Sequence, residues 1–130
     1  MNAPPLAMLF EPRRILLVGA SETSLFSASI PRYLLDQGFG DRLVMVNEKG
    51  KPVYGKPTVT TIAAAAAQGP FDVAILVIPA PDVCAAVEEL GRIGVPFVIV
   101  ESAGFAETGP EGKKLQDEIL SIAREGRITL

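Results

Sequence analysis

Four short apolar runs recur at regular intervals along the chain. They occupy residues 15–18 (ILLV), 43–46 (LVMV), 73–78 (VAILVI) and 97–100 (FVIV). Each is continuous rather than alternating, and rich in Val and Ile. A strand buried on both faces has this pattern, as in a parallel sheet. Helical stripes lie between the runs. Ile30, Tyr33 and Leu34 mark a helix over 30–37 that stops at Gly38, with Pro31 in the first turn, where a missing N–H costs little. Val83, Ala86, Val87, Leu90 and Ile93 mark a second over 82–93, stopped by Gly94. Leu115, Ile119, Ile122 and Ala123 mark another, ended by Gly126. Its start matches a capping box, Thr108 to Glu111, with Pro110 in the first turn. The alanine run 63–67 predicts a short helix after Thr60-Thr61, ended by Gly69-Pro70.

The order is β-α-β-α-β-α-β-α. It predicts an α/β fold, a Rossmann-like doubly wound parallel sheet in three α/β/α layers with right-handed crossovers. One domain spanning residues 1–130 is expected. Residues 127–130 (RITL) look like the start of a fifth strand with no loop or cap behind it. The chain is therefore expected to be an N-terminal fragment of a longer protein.

Composition narrows the function classes. Hydrophobic residues make up 48% and charged residues 21%, a globular balance. Twelve Lys+Arg against 15 Asp+Glu give −3, which argues against a nucleic-acid partner. The sequence has no His. Histidine metal ligands, Ser-His and Cys-His catalysis, and a phosphohistidine on this chain are excluded. The single Cys84 excludes an internal disulfide and a Cys-only metal site. With no His to act as its base, Cys84 reads as a small buried apolar residue. The first ten residues lack a basic segment and are interrupted by Pro4-Pro5, unlike a signal peptide. No apolar run approaches the roughly 20 residues that span a bilayer. A cytoplasmic protein without a membrane partner is expected.

In such a sheet, ligands bind beyond the carboxyl ends of the strands, near the point where strand order reverses. The residues that follow the four runs are small, polar or turn-forming. The first loop, Gly19-Ala20-Ser21-Glu22-Thr23-Ser24, offers a tight turn, hydroxyls and amides near a helix start, which favour a phosphate. It lacks the second and third glycines of a dinucleotide fingerprint. A plain turn in which Ser caps the helix is the competing reading. The second loop is Asn47-Glu48-Lys49-Gly50-Lys51. There Glu48 suits the ribose of NAD, the lysines suit a phosphorylated ribose, and a solvated turn needs neither. In the third, Pro79-Ala80-Pro81 makes either an apolar wall for an adenine or pantetheine, or a strand stop and helix start. In the fourth, Ser102-Ala103-Gly104-Phe105 leaves room for a thiol or carbonyl, or turns with Phe105 on the core. No carboxylate pair stands out as acid and base, so no catalytic residue is assigned.

At these loops the chain resembles the N-terminal CoA-binding domain of NDP-forming acyl-CoA synthetases, relatives of the succinyl-CoA synthetase α-subunit. The matching pieces are residues 15–21 (ILLVGAS), 34–40 (LLDQGFG), 46–49 (VNEK), 72–80 (DVAILVIPA) and 102–109 (SAGFAETG), in the family's order and spacing. The resemblance implies coenzyme A as cofactor. It implies that Gly19, Ser21 and Ser24 hold its phosphates and that Lys49 meets the nucleotide end, with Ala20, Thr23 and Asn47 also among the cofactor-binding residues. It places Ile78, Pro79 and Ala80 along the adenine or pantetheine, and Ser102, Ala103 and Gly104 near the thiol. In that family an NTP drives acyl-CoA formation through a histidine on another domain. That ligase domain, the ATP-grasp domain or subunit and a Gly-Pro-Asn-Cys motif are absent from this sequence, so partner domains, and a homo-oligomer, are among the expected associations. The chain alone is expected to bind CoA without turnover. Two departures bear on affinity. The family usually has Pro at Glu48 and a Gly within residues 24–28, and an added charge and a bulkier loop would weaken or shift phosphate binding. Alternative readings are a stand-alone or acetyltransferase-linked CoA or nucleotide-binding regulatory module, and an NAD(P)-binding oxidoreductase domain, which the missing glycines disfavour.

Overall fold

A computed structural model describes residues 6–23, 28–101 and 109–130. Its strands are β1 (Ile15–Val18), β2 (Leu43–Val46), β3 (Val73–Leu76) and β4 (Phe97–Val100). Its helices are α1 (Ala7–Phe10), α2 (Ser29–Asp36), α3 (Ile62–Ala65), α4 (Ala80–Arg92) and α5 (Pro110–Glu125). The strands form one parallel sheet in the order β2-β1-β3-β4. The chain leaves β1 for one side and returns to its other side with β3. Strand order therefore reverses at β1, and the β1 and β3 carboxyl ends flank the crevice that such a reversal opens.

The direction of each crossover decides which face its helix covers. Leu34 of α2 packs with Ile15, Leu17 and Met45 on one face, joined by Val53. The crossovers through α3, α4 and α5 run the other way and cover the opposite face. There Leu16, Val44, Ala74, Leu76 and Val98 meet Ile62, Val83, Val87, Leu90, Ile119 and Ala123. The three-layer expectation holds. All four residues of β1 are buried, as its central place requires, whereas Ile99 of β4 is 38% exposed on the α2 side.

Local signals set most element ends. Thr61 caps α3, its side chain accepting from the Ala64 amide at 3.0 Å, and a 3-10 turn, Ala66–Gln68, completes the alanine segment. Pro31 is buried in the first turn of α2. Two ends differ from expectation. The third apolar run leaves the sheet after Leu76, and α4 begins at Ala80, with Pro79 as its N-cap. The capping box does not set the start of α5. The N-cap is Gly109, at φ +113 with no side-chain cap bond, and Thr108 lies outside the described residues.

Residues 127–130 begin as a fifth strand would. Thr129 pairs in parallel with Phe97, its carbonyl accepting from the Val98 amide at 2.9 Å and its amide donating to the Pro96 carbonyl at 2.8 Å. Beside this edge, Ile99, Leu120 and Leu130 line an open groove of about 380 Å³ with Val98 and Val100. Cys84 is half-buried against the core rather than enclosed in it. Burial pushes its thiol pKa up, and Glu118 adds in the same direction, which suits an inert thiol. Among the described residues, no helix is long and apolar enough to cross a membrane.

Candidate functional site

The carboxyl ends of β1, β2 and β3 meet around a cavity of about 440 Å³. Gly19 and Ala20 follow β1, Asn47 and Glu48 follow β2, and Val77, Ile78 and Pro79 follow β3; Asp82 reaches it from the first turn of α4. Val18 and Val46, the last residues of their strands, complete the lining. The reversal in strand order thus places five of the expected site residues, Gly19, Ala20, Asn47, Ile78 and Pro79, around one space.

Gly19 is required where it stands. Its φ is +89, a conformation costly for a residue with a Cβ. A Cβ there would also overlap the Val77 carbonyl oxygen and lie 2.9 Å from its carbon. The first loop can therefore cross the end of β3 only as bare backbone.

The amides of this turn are already used. Those of Gly19 and Ala20 both donate to the Val46 carbonyl, at 3.1 and 3.0 Å. Through that carbonyl they tie the end of β1 to the end of β2. Ser21 Oγ accepts from the Thr23 amide at 3.1 Å and lies 3.2 Å from Thr23 Oγ1, while the N-cap of α2 is Ala28. The two hydroxyls form a cluster just past Ala20, outside the cavity lining.

Asn47 is a shaping residue. Its Nδ2 donates to the Ala20 carbonyl at 3.0 Å, and its Oδ1 accepts from the amides of Lys49 and Lys51 at 3.0 and 3.3 Å. One side chain thus fixes the second loop and fastens it to the first. Lys49 and Lys51 stand exposed on the resulting turn. Ala80 is buried as the first residue of α4 and does not line the cavity. Ser24, Ser102, Ala103, Gly104 and Phe105 lie outside the described residues.

Two contributors were missing from the expected site. Asp82 reads in the sequence as the opening of a helix, yet its first-turn position puts it on the rim. Tyr54 supports the first loop from a distance. Its hydroxyl donates to the Ala28 carbonyl at 2.7 Å, and its amide donates to Glu22 Oε2 at 3.1 Å. Tyr54-Gly55 is a two-residue turn between Val53 and Lys56, with φ of +48 and +77. An X-Gly pair is a turn signal in sequence, but the target of that turn is a long-range matter.

Comparison with known proteins matches this geometry to a family. A family model described as a CoA binding domain matches residues 13–130. The α-subunit of ADP-forming acetate–CoA ligase I of Pyrococcus furiosus is 31% identical over 123 residues, covering 92% of this chain and 27% of that one. A trans-feruloyl-CoA synthase from an unknown prokaryote is 33% identical over 118 residues, covering 90% of this chain and 16% of that one. Among solved structures, the apo dinucleotide-forming acetyl-coenzyme A synthetase 1 of Ca. Korarchaeum cryptofilum superimposes with a TM-score of 0.85 at 27% identity, over 95% of this chain and 26% of that one. The chain spans about a quarter of the first of these relatives and less of the second. It belongs to the CoA-binding domain family and is homologous to one part of the ADP-forming acetate–CoA ligases.

Proposed function

We propose that this chain is the CoA-holding domain of an NDP-forming acyl-CoA synthetase, and that its cavity at the strand reversal receives the nucleotide end of the cofactor. The observation that carries the reading is the meeting of Gly19, Asn47 and Pro79 from three strand ends around one space. The residues fit the cofactor in parts. Val77, Ile78 and Pro79 give an apolar wall for the adenine face. The hydroxyls of Ser21 and Thr23, with Lys49 and Lys51 on the neighbouring turn, give donors and positive charge for the pyrophosphate outside the cavity. Bound CoA supplies the thiol that accepts an acyl group. This chain's part is to fix the nucleotide so that the thiol arm has a defined origin.

The remaining chemistry belongs to partner domains in this proposal. The sequence has no His to carry a phosphoryl group. The exposed groove beside β4 is where a following segment or domain would cover apolar surface. A cytoplasmic setting is part of the same proposal and accords with a lone cysteine.

Ser21→Glu tests the phosphate placement. A carboxylate at that position would face the pyrophosphate, so CoA affinity is expected to fall by at least about tenfold, a typical cost for like charges brought together. Calorimetric titration of the variant reads this directly. Unchanged affinity would show that the phosphates lie elsewhere.

A further inference from the structure

The cavity carries charge of the wrong sign for a phosphate. Glu48 and Asp82 both line it, and no Lys or Arg is among its described lining residues. Most of its donors are also spent. The amides of Gly19 and Ala20 donate to Val46, that of Val77 to Val18, and that of Asp82 to Pro79. Asn47 Nδ2 donates to Ala20, and Pro79 has no N–H. What the wall offers is apolar surface and carboxylate acceptors. A ribose with free hydroxyls brings donors and no charge, so it complements such a wall. A phosphate on that ribose brings only acceptors and negative charge, so it does not.

The position of Glu48 fixes which part of the ligand is affected. An acid at the end of the second strand of a doubly wound sheet meets the ribose 2′-hydroxyl, and a 2′-phosphate calls for a cation there; the 3′ position is on the adjacent ring carbon, so a phosphate on it faces the same carboxylate. Lys49 and Lys51 are close in sequence, but the turn that Asn47 holds leaves both outside the cavity lining. The ribose of CoA carries a 3′-phosphate. We propose that Glu48, assisted by Asp82, makes this site read the ribose 3′ position as a free hydroxyl, so that 3′-dephospho-CoA binds at least as tightly as CoA. This inference rests on the CoA-binding reading given above.

The test is calorimetric titration of the 130-residue chain with CoA and with 3′-dephospho-CoA, repeated for Glu48→Gln and Asp82→Asn. Both residues are exposed, and a melting curve for each variant checks that the fold is kept. The wild-type chain is expected to bind dephospho-CoA at least as well as CoA. Glu48→Gln is expected to shift the ratio of the two affinities toward CoA by about tenfold, Asp82→Asn by less, and added salt should narrow the wild-type difference. A wild-type preference for CoA of tenfold or more, unchanged in both variants, would overturn the inference and leave the CoA reading standing. Binding of neither ligand would overturn both.

Discussion

Gly19→Ala is expected to destabilise the chain by at least about 3 kcal/mol and to abolish CoA binding. Two separate costs act at this position. The backbone sits at φ +89, and the new methyl would overlap the Val77 carbonyl, which belongs to the segment leaving β3. Relief requires the first loop and the end of β3 to move apart. That movement breaks the bonds from Gly19 and Ala20 to Val46 and opens the cavity they border. Gly38→Ala separates the two costs. Gly38 has a similar φ of +87, but nothing lies within 4 Å of its added Cβ. It should cost only about 1 kcal/mol, the conformational term alone. Urea denaturation of both variants measures the difference. Equal losses would mean that close approach at the β1–β3 crevice contributes nothing.

Asp72→Ala should give the second-largest effect, and one that depends on pH. Asp72 is 2% exposed and lies just before β3. Its Oδ2 accepts from the Arg13 amide at 2.8 Å and from Arg13 Nε at 3.1 Å, and its Oδ1 accepts from Arg13 Nη2 at 2.9 Å. The pair thus clasps the amino ends of β1 and β3, opposite the cavity. The Arg13 side chain is 69% exposed, so solvent screens much of the attraction between the charges. The fork of hydrogen bonds and the fastening of the Arg13 amide matter more. Removing this acceptor is expected to cost about 1–3 kcal/mol at neutral pH.

The pH dependence follows from the direction of the Asp72 shift. Side-chain hydrogen bonds from Arg13 hold its carboxyl below the usual carboxylate range, against burial, which pushes it up. A pKa lower in the folded than in the unfolded chain gives stability that is complete above the unfolded value, about 3.9 for Asp. That stability is lost as pH falls through the lower folded value. The difference in unfolding free energy between wild type and Asp72→Ala should therefore be constant from about pH 5 to 7 and shrink below about pH 4. Denaturation series across that range check this, and a difference that grew on acidification would contradict it.

The fold was legible where burial alone decides structure. Strands shielded on both faces need unbroken apolar runs, and three of the four runs match their strands end to end. The third run exceeded its strand because Val77 and Ile78, past the end of β3, still pack against the core on either face while lining the cavity, and Pro79 redirects the chain into α4. At α5 the N-cap is Gly109, at positive φ, one residue after the Thr108 that the spacing implied, which lies outside the described residues; Pro110 stands in the first turn as expected.

The site was legible as a set of loops but not in its internal wiring. Small residues after β1 signalled a close approach, and Gly19 makes one, to the β3 end. The amides of Gly19 and Ala20 donate to the Val46 carbonyl, and that partner is 27 residues away from Gly19 in sequence. The resemblance implies a ligand contact for Asn47, and the structure adds three hydrogen bonds by which it holds two loops together. In sequence, Asp82 has a sufficient local explanation as an acid in a helix's first turn, where it complements the helix dipole. Its second role appears only when α4 is placed against the crevice.

The most direct test of the central claim is calorimetric titration of the 130-residue chain with CoA, with NAD and NADP as parallel controls. The account predicts binding of CoA and no comparable binding of either dinucleotide. Selective binding of NAD or NADP would contradict it and return Glu48 to the ribose of a redox cofactor.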